Sequence, residues 1–367
     1  MSWHASRLGD VLTLKRGHDL PDSQRQDGDV PVVSSSGITG RHSEAKAKAP
    51  GVVTGRYGTL GQVFYIEEDY WPLNTALYVT DFKGNHSRFI AYFLEYVQRN
   101  YQSDKAAVPG VNRNVLHELK VRCPDTDTQM HIADILSAYD DLIENNRRRM
   151  ALLEDSARQL YREWFVRLRF PGHEHTRITN GVPEGWERAK LGDLAEITMG
   201  QSPESKHYNE DGDGLPFHQG VTHFGERFVT HRIHSTAQNR VAEAGDILCS
   251  VRAPVGRLNV TLDKIVIGRG LSALRSKTGY QSLLLQQLRA HFFKEDLIGG
   301  GAIFASVTKK ELSAQELLDP SDRLRHAFEE VTVPCDEQLR VLHSENQQLR
   351  AARDLLLPRL MSGEITA

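Results

Sequence analysis

The sequence predicts an α+β protein in which two similar mixed α/β domains are separated by two long helices. Three observations support this prediction: a motif that occurs twice, short apolar runs with one helix in each copy, and two heptad patterns. The chain has 367 residues, which exceeds one typical domain, so two domains with connecting helices are the natural expectation.

The internal repeat is clearest at its start. Trp3-x-x-x-Arg7-Leu8-Gly9-Asp10 returns as Trp186-x-x-x-Lys190-Leu191-Gly192-Asp193, and Gly17 matches Gly200 at the same offset. A duplication of this size predicts two similar structural modules on one chain. Two similar modules suit a target that itself has two parts.

The second copy is longer than the first. Gly51-Val52-Val53 aligns with Gly245-Asp246-Ile247-Leu248 at an increased offset. About a dozen residues are therefore added after Gly200, and loops accept insertions more readily than packed elements do. We expect Phe217 to His223 to belong to this insertion and to form a surface loop.

Each module is expected to combine strands with one helix. Short apolar and β-branched runs predict strands, and they are Val30–Val33, Val52–Thr54, Ile247–Val251 and Lys264–Ile267. One apolar helix follows the strands in each copy, at Phe89–Leu94 and at Leu283–Leu288.

Two heptad patterns predict long helices, one after Pro124 and one after Pro334. Apolar a and d positions over about three heptads are typical of a coiled-coil seam. The first seam comprises Ile132, Ile135, Tyr139, Leu142, Asn146, Arg149 and Leu153, and the second comprises Leu339, Leu342, Asn346, Leu349, Arg353 and Leu356. We expect Pro358 to end or kink the second helix.

An asparagine occupies an a position in both seams, at Asn146 and Asn346. A buried asparagine at such a position costs stability but fixes register and partner choice. The matched positions favour pairing of the two helices with each other. The alternative is that each amphipathic helix packs only on its own module.

Composition is that of an ordinary folded chain, with 39% hydrophobic residues, 25% charged residues and a net charge of −3. Cys123, Cys249 and Cys335 form no C-x-x-C pair, so reduced thiols and a cytoplasmic location are expected. The start, Met1 to His4, lacks an apolar signal core, and no apolar run approaches the length of a membrane span.

The stretch from Pro171 to Gly185 lacks hydrophobic periodicity and is rich in Gly, Pro and polar residues. It is interpreted as a linker between the two halves. His173-Glu174-His175 lies within it. Without further ligands on a regular element, a solvated linker is favoured over a metal site there.

Catalytic signatures are not found. The chain has neither a G-x-x-x-x-G-K-[ST] loop nor a G-x-S-x-G elbow, and it carries no Asn/Asp-Pro-Pro-Tyr/Phe motif. Asp22, Glu44 and Lys46 have the spacing of a nuclease that holds Mg²⁺ with carboxylates. The Ala45–Pro50 segment lacks the strand character such a motif needs, so this alternative is disfavoured.

Charge clusters are more informative than net charge. The segment from Arg227 to Lys277 contains nine Lys and Arg residues and three acidic residues. The segment from Lys83 to Arg122 contains seven Lys and Arg residues and three acidic residues. Basic stretches of this kind neutralise phosphates, although they also occur on surfaces that only contact solvent. Four histidines crowd the segment from His218 to His234.

The sequence resembles the specificity subunits of Type I restriction–modification systems over nearly its full length. Pro183-Glu184-Gly185-Trp186, leading into Lys190-Leu191-Gly192-Asp193 and Gly200, is similar to the start of that family's target recognition domains. Leu356 to Ile365 resembles the C-terminal ending of the family, and Gln129 to Leu153 resembles its central conserved helix.

The resemblance implies a division of the chain and an architecture. Two target recognition domains would each read one half of a bipartite DNA site, and the long helices would pair as an antiparallel coiled coil that sets the unread spacer. The implied segments are target recognition domain 1 (1–124), central conserved helix (125–170), linker (171–185), target recognition domain 2 (186–333) and C-terminal conserved helix (334–367).

The resemblance also implies partners. Double-stranded DNA, two modification (methyltransferase) subunits and restriction subunits would bind, without a membrane. S-adenosylmethionine, ATP and Mg²⁺ are expected on the partner subunits, with no cofactor, metal or catalytic residue on this chain. One departure from the pattern is Arg149, a charge at a position where the seam should be apolar.

Polar and basic side chains in matching parts of the repeat are the predicted DNA contacts. Arg56 and Tyr57 occupy the repeat region of Arg252, and Asn112 and Arg113 correspond to Thr308 and Lys309. Such groups suit base edges and phosphates. The full set is Arg41, Lys46, Lys48, Arg56, Tyr57, Asn112, Arg113, Gln219, His223, Arg252, Arg257, Lys309 and Lys310.

Two other interpretations stay open from the residues. The first is an adaptor that joins proteins and does not bind DNA, which the weak net charge permits. The second lies within the family, as a specificity subunit of a related fused restriction–methylation system.

Overall fold

The computed structural model describes residues 3–56, 61–103, 112–292 and 306–367. The chain divides into two compact units: unit 1 contains Met1–Asn146 and Ser344–Ala367, and unit 2 contains Arg147–His343. Among the described residues, no helix combines the length and apolar character needed to cross a membrane.

Among its described residues, unit 1 has nine strands and three α-helices before its long helix. The strands are β1 (Trp3–Arg7), β2 (Thr13–Arg16), β3 (Val30–Ser34), β4 (Gly37–His42), β5 (Gly51–Gly55), β6 (Val63–Ile66), β7 (Trp71–Pro72), β8 (Ala76–Asp81) and β9 (Lys120–Pro124). The helices are α1 (Leu8–Val11), α2 (Ser87–Ser103) and α3 (Arg113–His117). The long helix α4 (Thr126–Tyr161) follows and continues as a π-helical turn, Arg162–Val166.

The strands of unit 1 form a four-stranded antiparallel sheet in the order β2-β8-β5-β6, a three-stranded sheet in the order β4-β3-β7, and the pair β1-β9. Successive side chains of a strand point to opposite faces, and Val52 and Val53 of β5 accordingly enter two different apolar clusters. The Val52 face is covered by α2, whose Phe89, Phe93 and Leu94 are buried there.

The described part of unit 2 has the remaining strands and three shorter α-helices. The strands are β10 (Ile178–Thr179), β11 (Val182–Pro183), β12 (Glu187–Lys190), β13 (Ala195–Met199), β14 (Tyr208–Asn209), β15 (Leu215–His218), β16 (His234–Ser235), β17 (Val241–Ala242), β18 (Ile247–Ser250), β19 (Leu258–Val260), β20 (Ile265–Ile267), β21 (Leu271–Ser276) and β22 (Glu316–Asp319). The helices are α5 (Leu191–Leu194), α6 (Gln281–Phe292) and α7 (Lys309–Ser313), and α8 (Asp322–Ser362) follows them.

Unit 2 repeats the main sheet, the terminal strand pair and the parallel strand pair of unit 1, but its second sheet has five strands in the order β14-β16-β15-β20-β17. Its four-stranded sheet has the order β13-β21-β18-β19, its terminal pair is β12-β22, and β15 pairs in parallel with β20 as β3 does with β7. The strand β18 shows the same alternation as β5, with Ile247 and Leu248 in two different clusters. The prediction of two similar mixed α/β modules is confirmed.

A glycine is required at the same place in both units. A Cβ on Gly17 would lie 2.1 Å from the carbonyl oxygen of Leu73, and a Cβ on Gly200 would lie 2.1 Å from that of Gly268. Neither oxygen can move without displacing a strand, so larger residues are excluded. The repeated glycine therefore marks a close approach of two backbone segments.

The start of α4 and the end of α8 pair in unit 1. Leu136 of α4 lies in one apolar cluster with Leu357 and Leu360 of α8, while the Asn346 amide nitrogen donates to the carbonyl oxygen of Ile143 at 3.3 Å. Contacts that move forward along α4 thus move backward along α8, so the helices are antiparallel. The predicted antiparallel coiled coil is confirmed.

The register of the first seam differs from the prediction. Leu136, Ile143 and Met150 are buried, whereas Leu142 is 51% exposed and Arg149 is exposed. The seam therefore has Leu136, Ile143 and Met150 where the heptad count placed Ile135, Leu142 and Arg149. Arg149 lies outside the seam, so no charge interrupts it there. Ile135 is partly buried against the unit 1 core.

The other predicted seam residues lie close to their expected places. In unit 1, Ile132, Asn146 and Asn346 are buried and Leu349 and Leu356 are partly buried. The Asn146 amide nitrogen donates to Glu345 at 3.3 Å. In unit 2, Met150 shares an apolar cluster with Leu339 and Leu342, and Leu153 packs against it.

Prolines do not bound α8 as predicted. The helix begins at Asp322, before Pro334, and continues through Pro358 to Ser362. A helical proline removes one backbone hydrogen bond, but both prolines are exposed, where water can satisfy the unpaired carbonyl. Buried neighbours such as Thr332, Leu339 and Leu360 hold the helix on either side.

The prediction for the insertion of the second copy holds only in part, because Gln219–His223 follow β15 but Phe217 and His218 do not lie in a loop. Phe217 and His218 end the strand β15 and are buried, so they are part of a sheet and not of a surface loop. The additional residues follow His218, between β15 and β18. Alternating apolar residues in Leu215–Phe217 were the available signal for a strand.

The predicted linker contains regular structure. A 3₁₀ turn forms at His173–His175, and β10 and β11 make a short hairpin. Phe170 and Trp186, on either side of it, pack in one apolar cluster with ring centroids 4.9 Å apart. His173 Nδ1 lies 2.9 Å from the Phe170 carbonyl oxygen. Within the described residues, no cluster of three or more metal-ligating side chains forms.

Candidate nucleic-acid interface

The hairpin between β18 and β19 gathers basic residues in unit 2. Arg252 forms a β-bridge with Ser306, and the amide of Val307 donates to the carbonyl oxygen of Val251 at 2.8 Å. These bonds bring the hairpin beside the segment that leads into α7. Arg257 lies on the far side of the same hairpin turn, and its amide donates to Ser250 Oγ at 2.8 Å.

The helix α7 presents two lysines next to this hairpin. Thr308 and Glu311 form a capping box at its start, which satisfies backbone donors that the first turn leaves unpaired. Lys309 and Lys310 are exposed in that first turn. Over the described residues, neither lysine makes an ion pair, and the same holds for Arg252 and Arg257. Four exposed cations thus lie along one chain of backbone contacts.

Gln219 and His223 follow β15 in the same unit. Gln219 is exposed, and its amide oxygen accepts from Ser202 Oγ at 2.8 Å. His223 is half-buried, and its ring lies 6.2 Å from that of His218. Burial, followed by the nearby His231, His223 and His234, lowers the pKa of His218 to about 4. His218 is therefore neutral near pH 7 and adds no charge for phosphate binding.

The predicted contacts on the unit 1 loops lie beside carboxylates. Lys48 Nζ lies 2.6 Å from Asp69, and this hydrogen bond raises the pKa of Lys48. Lys46 lies 3.7 Å from Glu44 and 4.9 Å from the Trp71 ring centroid. Solvent screens exposed pairs of this kind, so a DNA phosphate can compete for either lysine.

Three other predicted DNA contacts in unit 1 are Arg41, Arg56 and Tyr57. Arg41 donates to the carbonyl oxygen of Asp29 and lies 3.9 Å from Glu68. Arg56 directly follows the strand β5, and its amide donates to the carbonyl oxygen of Thr75 at 3.0 Å. Tyr57 lies outside the described residues.

Asn112 has a structural role that the sequence did not reveal. Its side-chain oxygen accepts from the amide of Asn114 at 2.9 Å and caps the start of α3. Capping by asparagine stabilises a helix by about 1 kcal/mol. Arg113, the first residue of α3, is exposed, so it is better placed than Asn112 to contact a ligand.

The basic segment from Arg227 to Lys277 is less available than its count implied. Arg227 is only 5% exposed and is bound by Glu154 at 2.7 Å and Asp336 at 2.5 Å. Arg275 lies 2.6 Å from Asp246, and Lys264 lies 2.8 Å from Glu243. The exposed arginines of this segment that lack an ion pair with any described residue are Arg240, Arg252, Arg257 and Arg269.

Glu154 is the centre of a buried charge cluster and not part of a DNA surface. It accepts from both Arg227 and Arg289, on the side of α4 that faces α6. Burial raises its pKa, but the two guanidinium groups outweigh burial and hold the pKa of Glu154 below its usual value. This cluster fastens α4 to the sheet and helix of unit 2.

The nuclease alternative has no geometric support. Asp22 lies in a 3₁₀ turn and pairs with Arg25 at 2.8 Å, while Glu44 and Lys46 lie on the loop after β4. No contact among the described residues joins Asp22 to Glu44, and neither lies on a strand. The three side chains therefore do not form the compact carboxylate site that Mg²⁺ requires.

Comparison with protein families gives a match to both copies of the repeat. A family model described as the Type I restriction modification DNA specificity domain matches residues 2–155 and 183–321. The two matched segments cover most of the chain and start near Trp3 and Trp186, where the repeat was found.

Individual relatives agree with the family match. The putative type I restriction enzyme MjaX specificity subunit of Methanocaldococcus jannaschii is 30% identical over 297 residues, which cover 77% of this chain and 70% of that protein. The type I restriction enzyme HindI specificity subunit of Haemophilus influenzae is 23% identical, with 74% of each chain covered.

A solved structure shares the fold. The crystal structure of the Type-I restriction-modification system S subunit from M. genitalium superposes with a TM-score of 0.61, over 98% of this chain and 96% of that chain. Sequence identity is 16%, so this likeness concerns the fold alone.

Proposed function

This chain belongs to the Type I restriction–modification DNA specificity family, and from that membership we propose that it reads an asymmetric bipartite DNA site with one unit on each half-site. It is a non-catalytic, sequence-specific DNA-recognition subunit. The observation that supports the bipartite site most directly is the repeated strand order of the two units. Two copies of one fold present two equivalent surfaces to two stretches of duplex.

Asymmetry of the site follows from the differences between the copies. Ten or so more residues separate β15 from β20 than separate β3 from β7, so the loops that flank equivalent strands differ. Unit 2 offers cations at the β18–β19 hairpin that make no ion pair with any described residue, whereas the lysines of the unit 1 loops lie beside carboxylates. Different side chains at equivalent places favour different bases.

In this proposal, the partner subunits carry out the chemical steps. We propose that two modification subunits, which bind S-adenosylmethionine, methylate the DNA that this chain selects, and that restriction subunits, which use ATP and Mg²⁺, join them. Exposed apolar residues on the long helices, Leu142 and Leu355 in unit 1 and Leu152 and Val341 in unit 2, suit such docking. The paired helices would fix the separation of the two half-sites at about one DNA turn, measured centre to centre.

The proposed function is tested by the methylated motif. The chain is expressed with its modification subunits in a host that lacks other DNA methylation, and the modified bases are mapped by sequencing. We expect one motif with two specified parts, different from each other, separated by unspecified bases. A palindromic motif would contradict two different half-sites, and absence of methylation dependent on this chain would contradict the recognition role.

Arg252 is the first residue to test within this function. Replacing it with alanine is expected to weaken binding of the assembled complex to its site by about 1–3 kcal/mol, because a guanidinium loses its contact to a guanine edge. Fluorescence anisotropy with a labelled duplex measures the affinity. The control is Arg188→Ala, which removes another exposed arginine of unit 2, on β12. Equal affinities of the two variants would remove Arg252 from the interface.

A further inference from the structure

Both units contain the same small backbone arrangement where the repeated glycine meets the parallel strand pair. Three hydrogen bonds define it in each unit, at donor–acceptor distances of 2.8 to 3.1 Å. In unit 1, Gly17 N donates to Ala76 O, His18 N to Pro72 O and Leu73 N to Val33 O. In the same order in unit 2, Gly200 N donates to Leu271 O, Gln201 N to Ile267 O and Gly268 N to His218 O.

These bonds fix which side chains are equivalent. Two residues after the glycine, Asp19 of unit 1 corresponds to Ser202 of unit 2. After the parallel pair, Asn74 corresponds to Arg269. We call this position the glycine cleft; it comprises Asp19 and Asn74 with the neighbouring His18 in unit 1, and Ser202 and Arg269 with the neighbouring Gln219 in unit 2. His18 and Gln219 are not equivalent to each other.

The unit 2 glycine cleft opens into a cavity of about 660 Å³. Tyr208 and Phe217 line it with stacked rings whose centroids are 4.6 Å apart, and Gln219, Ser202 and Arg269 also line it. Ser202 Oγ donates to the Gln219 amide oxygen at 2.8 Å and accepts from the Arg269 backbone amide at 3.1 Å.

The unit 2 glycine cleft offers hydrogen-bond donors to a ligand. Because the Gln219 oxygen is engaged by Ser202, its amide group retains its two N–H donors. The Arg269 guanidinium is exposed and has no ion pair with any described residue. A guanidinium carries five donors and no acceptor, so the cleft of unit 2 is complementary to an acceptor edge.

The unit 1 glycine cleft has the opposite character. Asn74 Nδ2 donates to one carboxylate oxygen of Asp19, which leaves the other carboxylate oxygen and the Asn74 side-chain oxygen as acceptors. The Asn74 backbone carbonyl oxygen accepts from Arg16 Nε at 3.3 Å. His18 Nε2 lies 3.3 Å from Tyr78 Oη. Burial, with the charges of Lys15 and Lys46, lowers the pKa of His18, so its ring is neutral near pH 7 and does not cancel the acceptor character.

We infer that the glycine cleft is a base-reading position in each unit, and this inference rests on the proposed function. In unit 2, Arg269 and Gln219 donate to the major-groove acceptors of a purine, with guanine preferred by the guanidinium. In unit 1, Asp19 accepts from an exocyclic amino group, as on cytosine. The two half-sites then differ at equivalent positions.

The backbone around the cleft supports this assignment. Its side chains lie one to three residues beyond strand ends, and backbone hydrogen bonds anchor the intervening residues to the parallel strand pair. A Cβ at either glycine would collide with a carbonyl oxygen, so both positions require glycine for this close approach. The sequence can therefore change the side chains of the cleft without changing its frame.

The inference is tested with the complex assembled with modification subunits. We expect Arg269→Ala to make one base of one half-site degenerate in the methylated motif and to lower affinity about 5- to 150-fold. Asp19→Asn exchanges an acceptor for a donor in nearly the same shape and should change one base of the other half-site. Arg188→Ala should leave the motif as in the wild type.

A second variant separates base reading from simple attraction to DNA. Arg269→Lys keeps the positive charge but loses the two-pronged guanidinium, so affinity should fall less than in Arg269→Ala while the same base becomes degenerate. A wild-type motif in both Arg269→Lys and Asp19→Asn would overturn the inference. In that case a bipartite motif made by the wild-type complex would leave the proposed function intact, whereas absence of any motif would overturn both.

Discussion

Replacing Leu136 with alanine is expected to destabilise unit 1 by about 2–5 kcal/mol, the range for a leucine removed from a well-packed core. Leu136 is fully buried among Ile132, Leu357 and Leu360, where α4 meets the end of α8. The lost side chain leaves a cavity that neighbouring helices on both sides prevent from collapsing. Hydrogen exchange of the β5 and β8 amides measures the change in unit 1.

Leu142 is the matched control, because it is the same residue type on the same helix, in the same unit. It is 51% exposed, so Leu142→Ala should change stability by less than about 0.5 kcal/mol. A seam that included Leu142 and excluded Leu136 would reverse the two results. The pair of variants therefore decides the heptad register as well as the size of the effect.

The seam shows where sequence reasoning succeeded and where it lost precision. Ile132 and Asn146 are common to the predicted and observed seams. At the alternate positions the sequence offers neighbouring apolar residues, Ile135 beside Leu136 and Leu142 beside Ile143, so both registers fit a heptad. Only the packing partner on the other helix selects one of them.

The repeat was the strongest predictor of the fold. Matching residues at Trp3 and Trp186, and at Gly17 and Gly200, were enough to predict two similar modules, because a duplicated sequence keeps its strand order. Local rules were weaker. Pro334 and Pro358 each predict a helix boundary, but contacts made by neighbouring turns of α8 outweigh the loss of one backbone hydrogen bond.

The candidate interface was less accessible to sequence reasoning. A charge count cannot tell that Arg227 is buried between Glu154 and Asp336, residues distant in the chain. The glycine cleft was missed for the same reason, since Ser202 and Arg269 are brought together only by the fold. Its one signal was the repeated glycine, which marked the place but not the side chains.

The second large effect concerns the charge cluster of unit 2. Glu154→Gln is expected to destabilise unit 2 by about 3–5 kcal/mol, because it removes the carboxylate shared by two arginines in a largely buried cluster. Arg227 keeps only Asp336, and Arg289 loses the carboxylate that binds it. Hydrogen exchange of the β18 and β21 amides should show the change in unit 2.

The matched control for this variant is Glu163→Gln in the same unit. Glu163 also binds two arginines, Arg167 and Arg169, but both of these are more than half exposed. Solvent screens such pairs, so the expected loss is below about 1 kcal/mol. Equal effects of the two variants would mean that solvent screens the ion pairs of Glu154 as strongly as it screens those of Glu163. The cluster would then not fasten α4 to unit 2.

The pH dependence of stability provides an independent test of the same cluster. Because the pKa of Glu154 is lower in the folded chain than its usual value of 4.5, its contribution is present above that pH. It is lost as the pH falls through the folded pKa. The stability difference between wild type and Glu154→Gln should therefore shrink below about pH 4.5. A difference that stays constant down to pH 3 would point to packing, since the glutamine variant has no charge to titrate.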